Sequence, residues 1–106
     1  NYAKEREAFG EPIASRQAIA FMLAESAMEI DAMRLMAWRT AWRLDKNQDA
    51  TRDATLAKLY CAEQTMKIVD YGVQILGGHG YIREHPQELY FRNGRAFATL
   101  EGLAIV

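Results

Sequence analysis

The chain has 106 residues, 50% of them hydrophobic and 25% charged, with a formal net charge of −1, which is material for one ordered domain. Acids and bases alternate along it, which argues against a nucleic-acid footprint, and no apolar run reaches the roughly eighteen residues that span a bilayer. A single cysteine, Cys61, excludes an internal disulfide and fits a reducing compartment.

Residues 1–9 read as the last turns of a helix, with Tyr2, Arg6 and Phe9 three to four positions apart. Gly10-Glu11-Pro12 breaks it. Ser15 stands where an N-cap belongs, its hydroxyl placed to accept from a free N–H of the next helix. From Arg16 to about Asp45, apolar residues such as Ile19, Met22, Ile30, Met33 and Leu44 recur at helical steps. A second stripe, Phe21, Met28, Leu35, Trp38 and Trp42, covers another face, so this helix is expected to sit inside a bundle or against a partner. Lys46–Ala50 is a short polar connection, which implies an antiparallel neighbour.

The next helix starts near Thr51, with Asp53 in the first turn, where the helix dipole favours an anion. It runs to Leu76. Val73–Leu76 could by itself be a strand, but the unbroken pattern behind it favours helix. Pro86 opens a shorter helix carrying Leu89, Tyr90 and Arg92. That helix weakens at Gly94, and residues 95–102 are expected to form a loop or frayed turn. The expected fold is all-α, an antiparallel bundle of two long helices plus a short third, in one domain over residues 1–106. The chain starts in mid-pattern at Asn1-Tyr2-Ala3 and stops at Ile105-Val106, so it is expected to be a piece of a longer protein.

The stretch around which the rest is organised is Gln74-Ile75-Leu76-Gly77-Gly78-His79-Gly80-Tyr81. Three glycines there can end a helix and form a turn, or can bare N–H groups to an anionic ligand. Gly78-His79-Gly80 is no dinucleotide fingerprint, because its third glycine position holds Arg83 and no clear strand precedes it. His79, Glu84, His85 and Glu88 lack metal-ligand spacing, and no metal site is expected. Cys61 reads as a buried inert thiol and the methionines as core packing. Glu101 is a lone carboxylate among Phe97, Leu100, Leu103 and Ile105. It reads either as an exposed loop residue or as a desolvated base with a raised pKa.

Taken together these residues resemble the C-terminal domain of the acyl-CoA dehydrogenase family. Arg6-Glu7-Ala8-Phe9-Gly10, followed by Ile13 and Gln17, is similar to the family's Arg-x-x-Phe-Gly pattern. Gln74 to Tyr81 is similar to its Gln-Ile-Leu-Gly-Gly-x-Gly-aromatic. Arg92-Asn93-Gly94-Arg95 with Glu101-Gly102 is similar to its Arg-Asp-x-basic and Glu-Gly-Thr. Two positions depart from the pattern: Leu103 stands for the threonine and Asn93 for the aspartate.

The resemblance implies an FAD enzyme that oxidises acyl-CoA to trans-2-enoyl-CoA. Glu101 would remove the α-proton while hydride passes from the β-carbon to the flavin, and the backbone N–H at Glu101 would help polarise the thioester carbonyl, with Gly102 beside the substrate. Arg6, Phe9, Gln17, Gln74, Gly77 and Gly78 would contact FAD held mainly by a neighbouring subunit, Arg6 supplying a cation to the pyrophosphate. It further implies an electron-transfer flavoprotein as acceptor and a homo-oligomer, tetrameric in the parent protein. A role in fatty-acid β-oxidation follows, in the bacterial cytoplasm or mitochondrial matrix. The rival reading is a helical oligomerisation or scaffolding module without chemistry.

Overall fold

The structure, a computed structural model, describes residues 1–100. Two long runs of strong helix formers become its two long helices, α2 (Gln17–Asp45) and α3 (Thr51–Leu76). Ahead of them lie a single turn, α1 (Tyr2–Glu5), a two-stranded hairpin (β1, Glu7–Ala8; β2, Glu11–Pro12) and a 3-10 turn over Ile13–Ser15. After them come one helical turn, α4 (Gly78–Tyr81), and α5 (Gln87–Thr99). The molecule is a rod of 56 × 23 × 21 Å, the long dimension set by α2 and α3.

The α2–α3 connection is closed at both ends. Asn47 takes φ 53 just past the end of α2, and the Gln48 N–H reaches back to the Arg43 carbonyl at 3.0 Å. That is the Schellman arrangement that satisfies orphan carbonyls. Asp49 then accepts from both the Thr51 N–H and its hydroxyl, at 2.9 and 2.6 Å, and starts α3.

Cross-helix pairs fix the antiparallel register. The Tyr71 hydroxyl donates to Glu25 at 2.8 Å, Lys67 pairs with the same carboxylate at 3.0 Å, and the Tyr60 hydroxyl donates to Glu29. Near the connection Asp53, only 7% exposed, is gripped by Arg39 at 2.8 Å and Arg43 at 3.3 Å. The first-turn anion therefore acts through two guanidinium groups of the other helix as well as through the dipole of its own. Tyr71, and after it Lys67, hold the Glu25 carboxyl below the usual range, while the same carboxylate pushes the Tyr71 phenol up.

The third helix packs on α3, also antiparallel. Gln87 at its start donates to the Val69 carbonyl at 2.9 Å. Gly94 in its middle is buried against Thr65 and Val69. Near its end, the Lys58 ammonium donates to the Phe97 carbonyl at 2.9 Å and lies 4.3 Å from the centroid of the Phe97 ring. So α3 is the central helix, flanked by α2 and α5.

The all-α bundle and its helix order match the sequence reading, with four differences. Residues 1–9 are not one helix: it ends at Glu5, because Phe9 (φ 58) and Gly10 (φ 86) adopt left-handed angles that fold the chain into a hairpin. Ser15 does not cap α2. It lies in the 3-10 turn, Arg16 occupies the cap position, and no side chain caps that end. The stretch after Gly77 re-enters a helical turn, α4, instead of remaining a simple loop. Finally, α5 runs through Gly94 to Thr99, since there the missing side chain allows close contact with α3.

The interior is thin. Its buried hydrophobic residues are Ala3, Ala50 and Ala62, and among the described residues no large side chain is fully enclosed. On α2, Phe21, Met28, Leu35, Trp38 and Trp42 are 56–65% exposed, so the second apolar stripe faces outward in the single chain. Met28 thus leaves the core to which the sequence had assigned the methionines. Cys61 is half-buried, and desolvation raises its thiol pKa.

Candidate functional site

The end of α3 carries the glycine-rich stretch, and its geometry follows from one residue. Gly77 adopts φ 58 and ψ −132, which stops the helix, while its N–H still bonds the Val73 carbonyl at 2.9 Å. The chain then turns through α4, and Gly80 comes back down on α3. A Cβ at Gly80 would lie 2.7 Å from the Val73 carbonyl oxygen. At Gly77 and Gly78 a Cβ would meet nothing within 4 Å. The motif therefore contains one glycine required for packing and two whose outer side is open.

That open side forms the floor of a cavity of about 560 Å³. Gln74, Gly77, Gly78 and His79 contribute from the α3–α4 junction, and Arg6 and Tyr2 from the start of the chain. Ile13, Ile75 and Ile82 supply apolar wall. Arg6 is positioned because its carbonyl accepts from the Ile13 N–H at 2.9 Å, tying the end of α1 to the turn that leads into α2. One cation, one carboxamide, one imidazole and bare backbone on an apolar wall suit a phosphate-bearing ligand.

Four of the six residues expected to bind a cofactor, Arg6, Gln74, Gly77 and Gly78, line this one cavity. The other two do not. Phe9 stands at the hairpin tip, 94% exposed, with the Arg16 guanidinium 5.4 Å from its ring centroid. Gln17 is the first residue of α2 and is exposed. Glu101 and Gly102, with Leu103, lie outside the described residues. The third motif enters at Arg92, whose Nε donates to Glu88 at 2.9 Å within α5, and Asn93 is exposed.

On sequence alone His79, Glu84 and His85 are weighed only as metal ligands and are not joined to Tyr2. The rings of Tyr2, His79 and His85 meet edge to face, with centroids 5.7–6.3 Å apart. His79 Nδ1 lies 3.5 Å from a Glu84 carboxylate oxygen but makes no hydrogen bond. The turn at residues 82–86 brings these groups together, and no periodic spacing announces it. Among the described residues no group of three or more His, Cys, Asp or Glu side chains is placed to hold a metal.

The chain matches the family model for the acyl-CoA dehydrogenase C-terminal domain over residues 1–104. It belongs to the acyl-CoA dehydrogenase family. It is 43% identical over 105 residues to the caffeyl-CoA reductase-Etf complex subunit CarC of Acetobacterium woodii, covering 99% of this chain and 28% of that protein. It is 41% identical over 101 residues to the mitochondrial short-chain specific acyl-CoA dehydrogenase of Bos taurus, covering 95% of this chain and 24% of that one. Among solved structures it is similar to butyryl-CoA dehydrogenase from Megasphaera elsdenii, with a TM-score of 0.94 and 33% identity over 98% of this chain and 27% of that chain. This acyl-CoA dehydrogenase domain thus spans about a quarter of the length of these relatives. None of its described helices is long and apolar enough to cross a membrane.

Proposed function

We propose that this chain is the C-terminal domain of an FAD-dependent acyl-CoA dehydrogenase that converts an acyl-CoA thioester to its trans-2-enoyl-CoA. The observation that carries the reading is the cavity joining Arg6 to Gln74, Gly77 and Gly78, far apart in the sequence. The residues fit the cofactor. The outer sides of Gly77 and Gly78 are open, so a diphosphate can approach the backbone, and Arg6 supplies a compensating charge. The Gln74 carboxamide adds a hydrogen-bonding group. Phe9 and Gln17, exposed at the hairpin tip and the start of α2, contact the same FAD where a second subunit presents it.

When bound, FAD supplies the oxidant. The remaining chemistry falls to Glu101, whose carboxylate takes the α-proton as that C–H bond breaks. By the family resemblance Gly102 would lie beside the thioester and the Glu101 N–H would polarise its carbonyl, acidifying the α-carbon. The outward apolar stripe of α2 is the oligomer interface, tetrameric in the intact enzyme. An electron-transfer flavoprotein accepts the electrons, a reading supported by the Acetobacterium relative, which is named as part of an Etf complex. The setting is the bacterial cytoplasm or the mitochondrial matrix.

The test is the visible spectrum and turnover of the full-length protein. Flavin absorbance that bleaches with a short or medium acyl-CoA is the expected result. A colourless, inactive full-length protein would overturn the reading and leave a helical assembly module. The 106-residue chain alone is expected to reduce no artificial acceptor with acyl-CoA, because it spans only about a quarter of the length of its relatives.

A further inference from the structure

The family pattern leaves the position between the second and third glycines of the motif open, and here it is filled by His79. We infer that His79 is a diphosphate-binding residue of the cofactor cavity, held in place by Glu84, Tyr2 and His85. This rests on the assignment of the cavity to FAD.

The ring lines the cavity together with Arg6 and the open faces of Gly77 and Gly78. Its Nδ1 edge is buried and turned toward Glu84, 3.5 Å from the carboxylate, yet the His79 side chain as a whole is 45% exposed. The exposed part is therefore the opposite edge, which carries Nε2. Because Nδ1 makes no hydrogen bond, the ring is free to carry its proton at Nε2 and to donate from that edge to a phosphate oxygen. Tyr2 and His85 pack edge to face on the ring, which limits its rotation and places its free edge with little conformational freedom to lose on binding. The charged groups around it are Arg6 on the cavity side and Glu84 behind. An anion in the cavity then meets the Arg6 guanidinium and the imidazole N–H on its near side, with the Glu84 carboxylate behind the ring.

The experiment titrates FAD into the full-length apoprotein and follows flavin fluorescence, with His79→Ala and His79→Asn compared against wild type. A charge-assisted hydrogen bond predicts about a tenfold or greater loss of FAD affinity in His79→Ala. His79→Asn, which keeps an N–H donor on a shorter side chain, should fall between. The phosphorus resonances of bound FAD should move between wild type and variant while the flavin absorbance bands stay in place. Matched helicity and melting temperature show that the variants fold; if His79→Ala does not, His79→Asn decides. FAD affinity within twofold of wild type in the folded variants overturns the inference. So does a displacement of the flavin absorbance bands in the folded variants, which would mark a general loosening of the site. A wild-type protein that binds no FAD overturns the reading of the cavity itself, and this assignment with it.

Discussion

Replacing Gly80 and Gly78 by alanine separates the two functions of the glycine motif. At Gly80 the new methyl would lie 2.7 Å from the Val73 carbonyl oxygen, 2.9 Å from its Cα and 3.1 Å from Leu76 Cβ. Two of those atoms are helix backbone, which cannot swing aside, so α4 must lift away from α3. Overpacking of this kind costs about 1–3 kcal/mol, and rigid neighbours place Gly80→Ala at the upper end. For a unit of about 100 residues that lowers the melting midpoint by roughly 10–20 °C. At Gly78 the methyl meets nothing within 4 Å and φ is not positive, so Gly78→Ala should leave the midpoint unchanged. The new methyl would then project into the cavity and weaken FAD binding in the full-length protein. Melting of the 106-residue chain by circular dichroism at fixed concentration, paired with FAD titration of the full-length variants, reads both effects. A Gly80→Ala midpoint equal to wild type, or a Gly78→Ala variant that melts as early as Gly80→Ala, would refute the division of roles.

Asp53→Ala should destabilise the α2–α3 connection by about 2 kcal/mol in urea denaturation, below the 3–5 of a fully buried pair because Arg39 is largely exposed and can return to water. Since folding holds the Glu25 carboxyl below its ordinary range, its contribution is present above about pH 4 and is lost as the pH falls through that range. The acid limb of the stability profile should therefore flatten in Glu25→Gln. In the full-length enzyme Glu101→Gln should retain FAD and substrate binding while turnover drops about a hundred- to ten-thousand-fold; a variant within tenfold of wild type would place the base elsewhere. The 106-residue chain should self-associate through the exposed stripe of Phe21, Trp38 and Trp42, and a stable 12.1 kDa species in light scattering at micromolar concentration would rule that out.

The long helices were legible because their apolar period persists over 29 and 26 residues, far beyond any competing pattern. Short-range signals were less reliable. Tyr2, Arg6 and Phe9 have helical spacing, yet the backbone at Phe9 and Gly10 bends the chain into a hairpin that local propensity did not announce. Gly94 looks like a stop until it is seen against Thr65 and Val69, a contact made across almost thirty residues. Arg6, Gln74, Gly77 and Gly78 were singled out through the motif resemblance, and the fold places all four around one cavity. His79 and His85 were weighed only as metal ligands, and their edge-to-face contact with Tyr2 was not legible because the two rings meet through the turn between α4 and α5.

The Lys58 tether to Phe97 makes α3 a gauge. One uninterrupted helix carries, at residue 58, the anchor for the end of α5 and, at residues 74–77, the entry to the glycine cradle. These points are separated by about 25 Å of fixed rise. Inserting or deleting a single residue between them would shift one anchor by about 1.5 Å and rotate it by about 100° around the helix. Natural variation in the length of α3 should therefore fall outside residues 58–77, while the hairpin tip and the α2–α3 connection can absorb insertions without disturbing the spacing.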